Sequence, residues 1–256
     1  MRPAYFLLPF FALPAAATTL LPRVDAGARV AHDFGLSPLR GTIELGIDLT
    51  LVATTTWQLD VWFGIESFVR YNQPPESPIR ISPQQVHYPV GARYRRWLDP
   101  DHAWGLFAFH QSNHDIDTTD ATLNQETVSY EVYGAEWLMP YLHLHGGLYW
   151  DRGTRLNGYA QEVPFDYMLF GVTAETEVPF YDPWYTAARL EAITHRDADH
   201  EPAHLSLEGH LDLGARFVGE RGTLRVFLRG QRIENYRFLG DEPRHLLLLG
   251  TSLSTR

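Results

Sequence analysis

The sequence predicts an all-β chain, a transmembrane antiparallel up-and-down β-barrel of about 12 strands. Three observations predict it. Apolar and polar residues alternate over stretches of ten or more positions, the connections alternate between short and long, and aromatic residues gather at strand ends. Alternation puts successive side chains on opposite faces of a strand. Strands of ordinary globular proteins run to about five or six residues, so these segments are long enough to cross a bilayer.

Composition narrows the function classes. The 256 residues are 45% hydrophobic, which excludes a disordered chain. No cysteine is present, so no disulfide framework and no thiolate site can form. A formal charge of −10, without a basic stripe, argues against a nucleic-acid partner.

Taken in order, the chain opens on Arg2, an apolar run Ala4–Leu13, Pro14 and Ala15-Ala16-Ala17, the pattern of a cleaved secretory signal over 1–17. The run stops at Thr18-Thr19, short of the roughly 20 residues of a membrane helix. The barrel is expected over 18–256, with strands at 24–34, 41–54, 57–70, 81–98, 102–112, 126–138, 141–150, 165–178, 184–195, 204–218, 222–235 and 244–254. The short connections are Thr55-Thr56, Asp99-Pro100-Asp101, Met139-Pro140, Pro179–Pro183 and Glu220-Arg221. The long ones are 71–80, 113–125, 151–164, 196–203 and 236–243. Short periplasmic turns and long outer loops characterise bacterial outer-membrane barrels. Trp57, Tyr71, Trp97, Trp137, Tyr141, Tyr149, Trp150, Trp184 and Tyr185 are expected to form the interfacial girdles.

The polar faces carry acids, arginines and histidines and no lysine, which suits a narrow lumen filled with paired charges better than a face turned to bulk water. Asp60, Glu66, Glu131, His143, His145, Arg189, Glu191, Glu208, His210, Asp212, Arg225 and Arg229 are assigned to it. The last strand ends in Ser-Thr-Arg rather than the terminal aromatic common in outer-membrane barrels.

One segment carries chemistry. Phe107–His114 reads F-A-F-H-Q-S-N-H. His110 and Ser112 share a strand face about 7 Å apart, near enough for the imidazole to act as general base to the hydroxyl. Asn124 and Glu126 return to the same end and are candidates to orient the histidine, and Asn113 is a candidate to stabilise an oxyanion. His110 and Ser112 have the parity of Trp104, Leu106 and Ala108. Asn124 and Glu126 have that of Val128, Tyr130 and Val132, so the site is expected to face lipid near the outer rim.

His110-x-Ser112-Asn113 resembles the H-x-S-N core of the outer-membrane phospholipase A family and of the lipid A 3-O-deacylases, both β-barrels. The resemblance implies Ser112 as nucleophile, His110 as base and Asn124, at the phospholipase spacing, or Glu126, by analogy with the deacylases, as the orienting residue. The count of 12 strands favours the phospholipases. Where those families place a glycine after the asparagine, this chain has His114. The segment also resembles, more loosely, uncharacterised outer-membrane barrels with H-x-S-S-H.

The expected function is an outer-membrane serine hydrolase acting on acyl esters of outer-leaflet phospholipid or lipopolysaccharide, as a monomer or a homodimer. The alternative is a non-catalytic barrel, a narrow channel or a structural or adhesion protein, with Gln111–His114 a polar strand end entering an outer loop. Asp115, Asp117 and Asp120 have a carboxylate spacing that would suit Ca²⁺, without the glycine and distal glutamate of an EF-hand. His143-x-His145 suits a transition metal or, more often, a lumen hydrogen-bond network.

Overall fold

The long alternating segments hydrogen-bond side by side until the first meets the last. The computed structural model describes residues 19–35, 41–71, 81–115, 127–151, 155–156, 159–160, 169–195, 204–233 and 244–255. The strands are β1 (Thr19–Asp33), β2 (Gly41–Ala53), β3 (Trp57–Tyr71), β4 (Ile81–Trp97), β5 (Ala103–Asp115), β6 (Thr127–Met139) and β7 (Leu142–Asp151). A two-residue pair, β8 (Arg155–Leu156) and β9 (Tyr159–Ala160), follows. The wall then continues with β10 (Leu169–Tyr181), β11 (Trp184–His195), β12 (His204–Val218), β13 (Gly222–Ile233) and β14 (Arg244–Thr255). Each wall strand is antiparallel to the next, β7 pairs with β10, and β1 pairs with β14 from Gly27↔Ser254 to Asp33↔Leu248. The sheet is therefore a closed 12-stranded barrel, with β8 and β9 added beside β6 through Thr127↔Arg155.

Local chemistry sets the tight turns at one end. Thr54 Oγ1 accepts the N–H of Trp57 at 3.1 Å and of Thr56 at 3.3 Å. Asp99 Oδ1 accepts the N–H groups of Asp101 and His102, both at 2.9 Å, in the self-bonded geometry that favours Asp in turns. Tyr141, with φ of 62°, makes the Pro140-Tyr141 reversal.

Alternation sorts the two surfaces. Leu45, Ile47, Phe63, Leu106, Leu148, Val172, Leu190, Leu211, Leu213, Leu228 and Leu249 are exposed on the outside, in a band that circles the barrel. Trp57 stacks on Tyr94 at 6.0 Å, and Tyr94 meets Trp104 edge-on at 5.9 Å, on the outer wall near the tight turns. Three expected girdle residues belong elsewhere: Tyr149 and Tyr185, 6% and 1% exposed, point into the lumen, and Trp97 shares the inward parity of Arg95 and donates Nε1 to Gln58 at 3.4 Å. The two tyrosines have the parity of His143, Arg189 and Glu191, and glycines make room for such rings. A Cβ on Gly171 would lie 2.6 Å from Tyr149, and one on Gly91 2.5 Å from Trp62 and Phe109.

The lumen is crowded with side chains. Near the tight turns Arg93 holds Asp60 at 3.1 Å and Asp48 at 2.5 Å, and Arg95 grips Glu136 through two nitrogens at 2.6 and 3.2 Å. Between the neighbouring strands β12 and β13 Arg229 clamps Asp212 at 2.7 and 2.9 Å, while Arg216 and Arg225 share Glu177 of β10. Nearer the other end Tyr130, Val132, Tyr149 and Ile193 pack as one apolar cluster. Paired charges interleaved with apolar clusters satisfy the interior of a barrel this narrow.

The expected strand boundaries hold within a few residues, with three differences. β1 starts at Thr19, β5 runs to Asp115, and β10 runs on to Tyr181, leaving Asp182-Pro183 as its turn. The expected signal segment lies outside the described residues.

Candidate active site

β5 presents two chemistries on two faces. Phe107, Phe109, Gln111 and Asn113 turn into the lumen, where the stacked rings of Phe107 and Phe109 pack against the apolar cluster. Trp104, Leu106, Ala108, His110, Ser112 and His114 are therefore on the outside, with Leu106 55% exposed. The expected outward facing of His110 and Ser112 is what the structure shows.

On that outer face two polar contacts sit one above the other. Ser112 Oγ lies 2.7 Å from His114 Nε2, and His110 Nδ1 lies 3.2 Å from Glu131 Oε1 on β6. Tyr88, opposite Ser112 on β4, meets the His114 ring edge-on at 5.8 Å. Ser129 stands opposite Ser112 on β6. Ser112 is eight positions beyond Trp104, about 20 Å up a tilted strand, so the pair lies near the upper edge of an apolar band about 25 Å tall.

This arrangement corrects the sequence reading at several residues. His114, expected in a loop, is on β5 because the strand continues three residues further, and it supplies the hydrogen bond expected from His110. His110 turns instead to Glu131. That glutamate was assigned to the lumen, but β6 has the opposite phase: Tyr130 and Val132 are buried inside, while Glu131 and Tyr133 face out. Both faces of β6 carry bulky apolar residues, so alternation alone could not choose between them. Glu131 is the site residue that sequence reasoning missed; the cross-strand register His110↔Glu131 reveals it.

Asn113 is 3% exposed and points into the lumen, where its Oδ1 accepts Gln111 Nε2 at 2.9 Å, so its side chain is on the face opposite Ser112. Asn124, Glu126, Asp117 and Asp120 lie outside the described residues; Asp115 closes β5 opposite Gln85. Among the described residues no group of three or more histidines and carboxylates is set to hold a metal. His143 and His145 belong to the lumen network, His143 bonding Glu136 at 2.8 Å and approaching Glu175 at 3.6 Å.

The lumen holds a cavity of about 300 Å³ between Trp62, Glu66, Phe107, Phe109, His143 and Glu175. Its walls mix aromatic rings with ion-paired side chains, and a second cavity of about 640 Å³ at the tight-turn end shares His143, Glu175 and Arg189 with it.

No family model and no curated protein matches the chain. Among solved structures, the chain is similar to the outer membrane phospholipase dimer of Salmonella typhi with bound calcium, at TM-score 0.49 and 8% identity over 97% of this chain and 93% of that one. It is similar to LpxR from Salmonella typhimurium, at TM-score 0.42 and 8% identity over 90% and 99%. It is also similar to the translocator domain of the autotransporter NalP from Neisseria meningitidis, at TM-score 0.42 and 9% identity over 91% and 88%. At these identities the likenesses assign neither an activity nor a site residue.

Proposed function

We propose that the chain is a bacterial outer-membrane serine hydrolase that cleaves acyl esters of outer-leaflet phospholipid or lipid A. The observation that carries this is the 2.7 Å contact between Ser112 Oγ and His114 Nε2 on the outward face of β5. A serine hydroxyl becomes a useful nucleophile when a base at hydrogen-bond distance takes its proton. A lipid ester in the outer leaflet reaches this height by lateral diffusion. Ser112 Oγ attacks its carbonyl carbon as the proton passes to His114. The tetrahedral intermediate collapses, His114 returns the proton to the departing alcohol, and water then releases the fatty acid from the acyl-serine by the same route in reverse. His110, with Nδ1 engaged by Glu131, has Nε2 left for an oxygen of the substrate.

The polarity of the face supports the same reading. A histidine–glutamate pair on a lipid-facing wall is costly to hold there, and ionisable residues at membrane depth mark functional sites. In favour of the non-catalytic alternative stands the crowded lumen, which would rigidify a purely structural barrel.

A fluorophosphonate probe on the detergent-folded protein separates these readings. Labelling is expected for the wild type and lost in Ser112→Ala; His114→Ala is expected to lose nearly as much hydrolysis, because nucleophile and base act as a unit. His110→Ala is expected to retain labelling with slower turnover. Loss of labelling in His110→Ala but not in His114→Ala would return the role of base to His110, as the motif resemblance implies. A folded wild type with neither labelling nor activity on phospholipid or lipid A, with and without Ca²⁺, leaves the structural barrel standing.

A further inference from the structure

In the ring of 12 strands β13 is the sixth from β5, so the outer face of β12–β14 lies across the barrel from Ser112. This wall is built differently. Gly230 faces out between Leu211 on β12 and Leu247 on β14, and a Cβ placed on it would meet nothing within 4 Å. The missing side chain opens a trough of about 630 Å³, floored by Gly209 and Gly230 and walled by Leu190, Leu207 and Leu211. At the end away from the tight turns two cationic-type side chains close it. Arg232 and His245 are directly opposed across β13 and β14, and both are exposed on the outer face. Arg232 leans over Gly209, its Nε donating to Leu207 O at 2.9 Å.

We propose that this wall binds one phosphate-bearing lipid of the surrounding leaflet. Its acyl chain lies in the trough over Gly230 and its anionic phosphate meets Arg232 and His245. Shape and charge each contribute a reason. A groove opened by an absent side chain and floored by glycine admits hydrocarbon, and Arg232 and His245 stand at its end away from the tight turns. Guanidinium and imidazole at the interfacial end present N–H donors where a phosphate stands. The inference uses the membrane-spanning reading of the barrel and is independent of hydrolysis, since no residue of this wall approaches Ser112.

Native mass spectrometry of the full chain, folded in detergent, tests it with three probes: dipalmitoylphosphatidylglycerol, dipalmitoylglycerol and glycerol 3-phosphate. The phosphatidylglycerol adduct is expected to persist. Dipalmitoylglycerol, without the phosphate, is expected to bind roughly tenfold more weakly, the size of one lost charge-assisted contact. Glycerol 3-phosphate, without chains, is expected to leave no adduct. Gly230→Leu fills the trough from open space and is expected to lower the phosphatidylglycerol adduct severalfold, while Arg232→Gln with His245→Gln abolishes the preference over dipalmitoylglycerol. Heat-modifiable mobility verifies that each variant is folded, and unchanged fluorophosphonate labelling keeps this result separate from the fate of the hydrolase reading. Equal binding of the two acyl probes by the wild type overturns the proposal. So does an undiminished phosphatidylglycerol adduct in both variants, or a dimer that Gly230→Leu dissolves, which would make the wall a contact between copies.

Discussion

The two opposite walls of the barrel, β4–β6 and β12–β14, face the same solvent and treat it differently. The first carries Ser112, His114, His110 and Glu131 among its outward residues, and the second carries mainly leucines, with Val226, Gly209 and Gly230 among them, up to Arg232 and His245. The inner faces differ as well. Behind β13 the wall is pinned by a buried arginine–aspartate clamp, and behind the upper part of β5 by a neutral amide pair, Gln111 and Asn113. The polar outer groups of the first wall back onto the amide pair, and the clamped wall keeps an apolar exterior opened by the trough over Gly230. Position on the ring, and not the strand motif alone, decides what a lipid-facing side chain is for.

The largest expected effect tests the inner supports. Arg229→Ala leaves the buried Asp212 without its clamp and is expected to cost about 3–5 kcal/mol. Asn113→Ala, which removes one side of the amide pair, is expected to cost about 1 kcal/mol. Urea unfolding of both variants in lipid vesicles measures the difference; equal losses would erase the distinction between the walls.

A second pair of variants sharpens the outer comparison. An arginine at Leu228, part-way up the apolar wall of β13, is expected to destabilise the barrel by about 2–4 kcal/mol. The same residue at Ser112, close to the upper edge of the band, is expected to cost at most about 1 kcal/mol. If both cost the same, Ser112 lies deeper than its distance from Trp104 implies.

The smallest effect lies at the tight-turn end, outside both walls. The hydrogen bond from His102, reinforced by the N–H of Asp101, holds the Asp99 carboxyl below its ordinary 3.8. A carboxyl lowered by folding adds stability above the unfolded-state value and loses it as pH falls through the folded-state value. The wild type is therefore expected to lose a small margin below pH 3.8 that Asp99→Asn never has. Unfolding midpoints of both proteins between pH 5 and pH 2 would measure it, and parallel curves would deny Asp99 any part.

Strand placement was legible in the sequence because period two is a local signal. β11 and β12 fall where alternation and proline-marked turns put them, at Trp184–His195 and His204–Val218. The lumen assignments of Asp60, Glu136's partner His143, Arg189, Glu208, Asp212 and Arg229 were legible for the same reason, since each strand there has one charged and one apolar face. β6 was not legible. Its lumen residues Tyr130 and Val132 are as apolar as its outward Tyr133 and Trp137, because the lumen beside β6 is lined by Tyr149, Ile193, Phe107 and Phe109. Nor was the Ser112–His114 contact, which depends on how many residues past Ser112 the strand persists. That length is set by pairing with β4 and β6, up to Gln85↔Asp115 and His114↔Thr127, and not by the composition of β5.

The seam between β1 and β14 joins residues from the two ends of the chain: Ala26 N donates to Thr255 Oγ1 at 2.7 Å across a separation of 229 positions. Every other wall pairing joins neighbours that leave the ribosome together. A product cut short anywhere before Arg244 would carry unpaired backbone on β1 and on its own final strand, two long sticky margins that neither water nor lipid can silence. Closure of this one seam pairs both margins at once and leaves the wall a surface without ends.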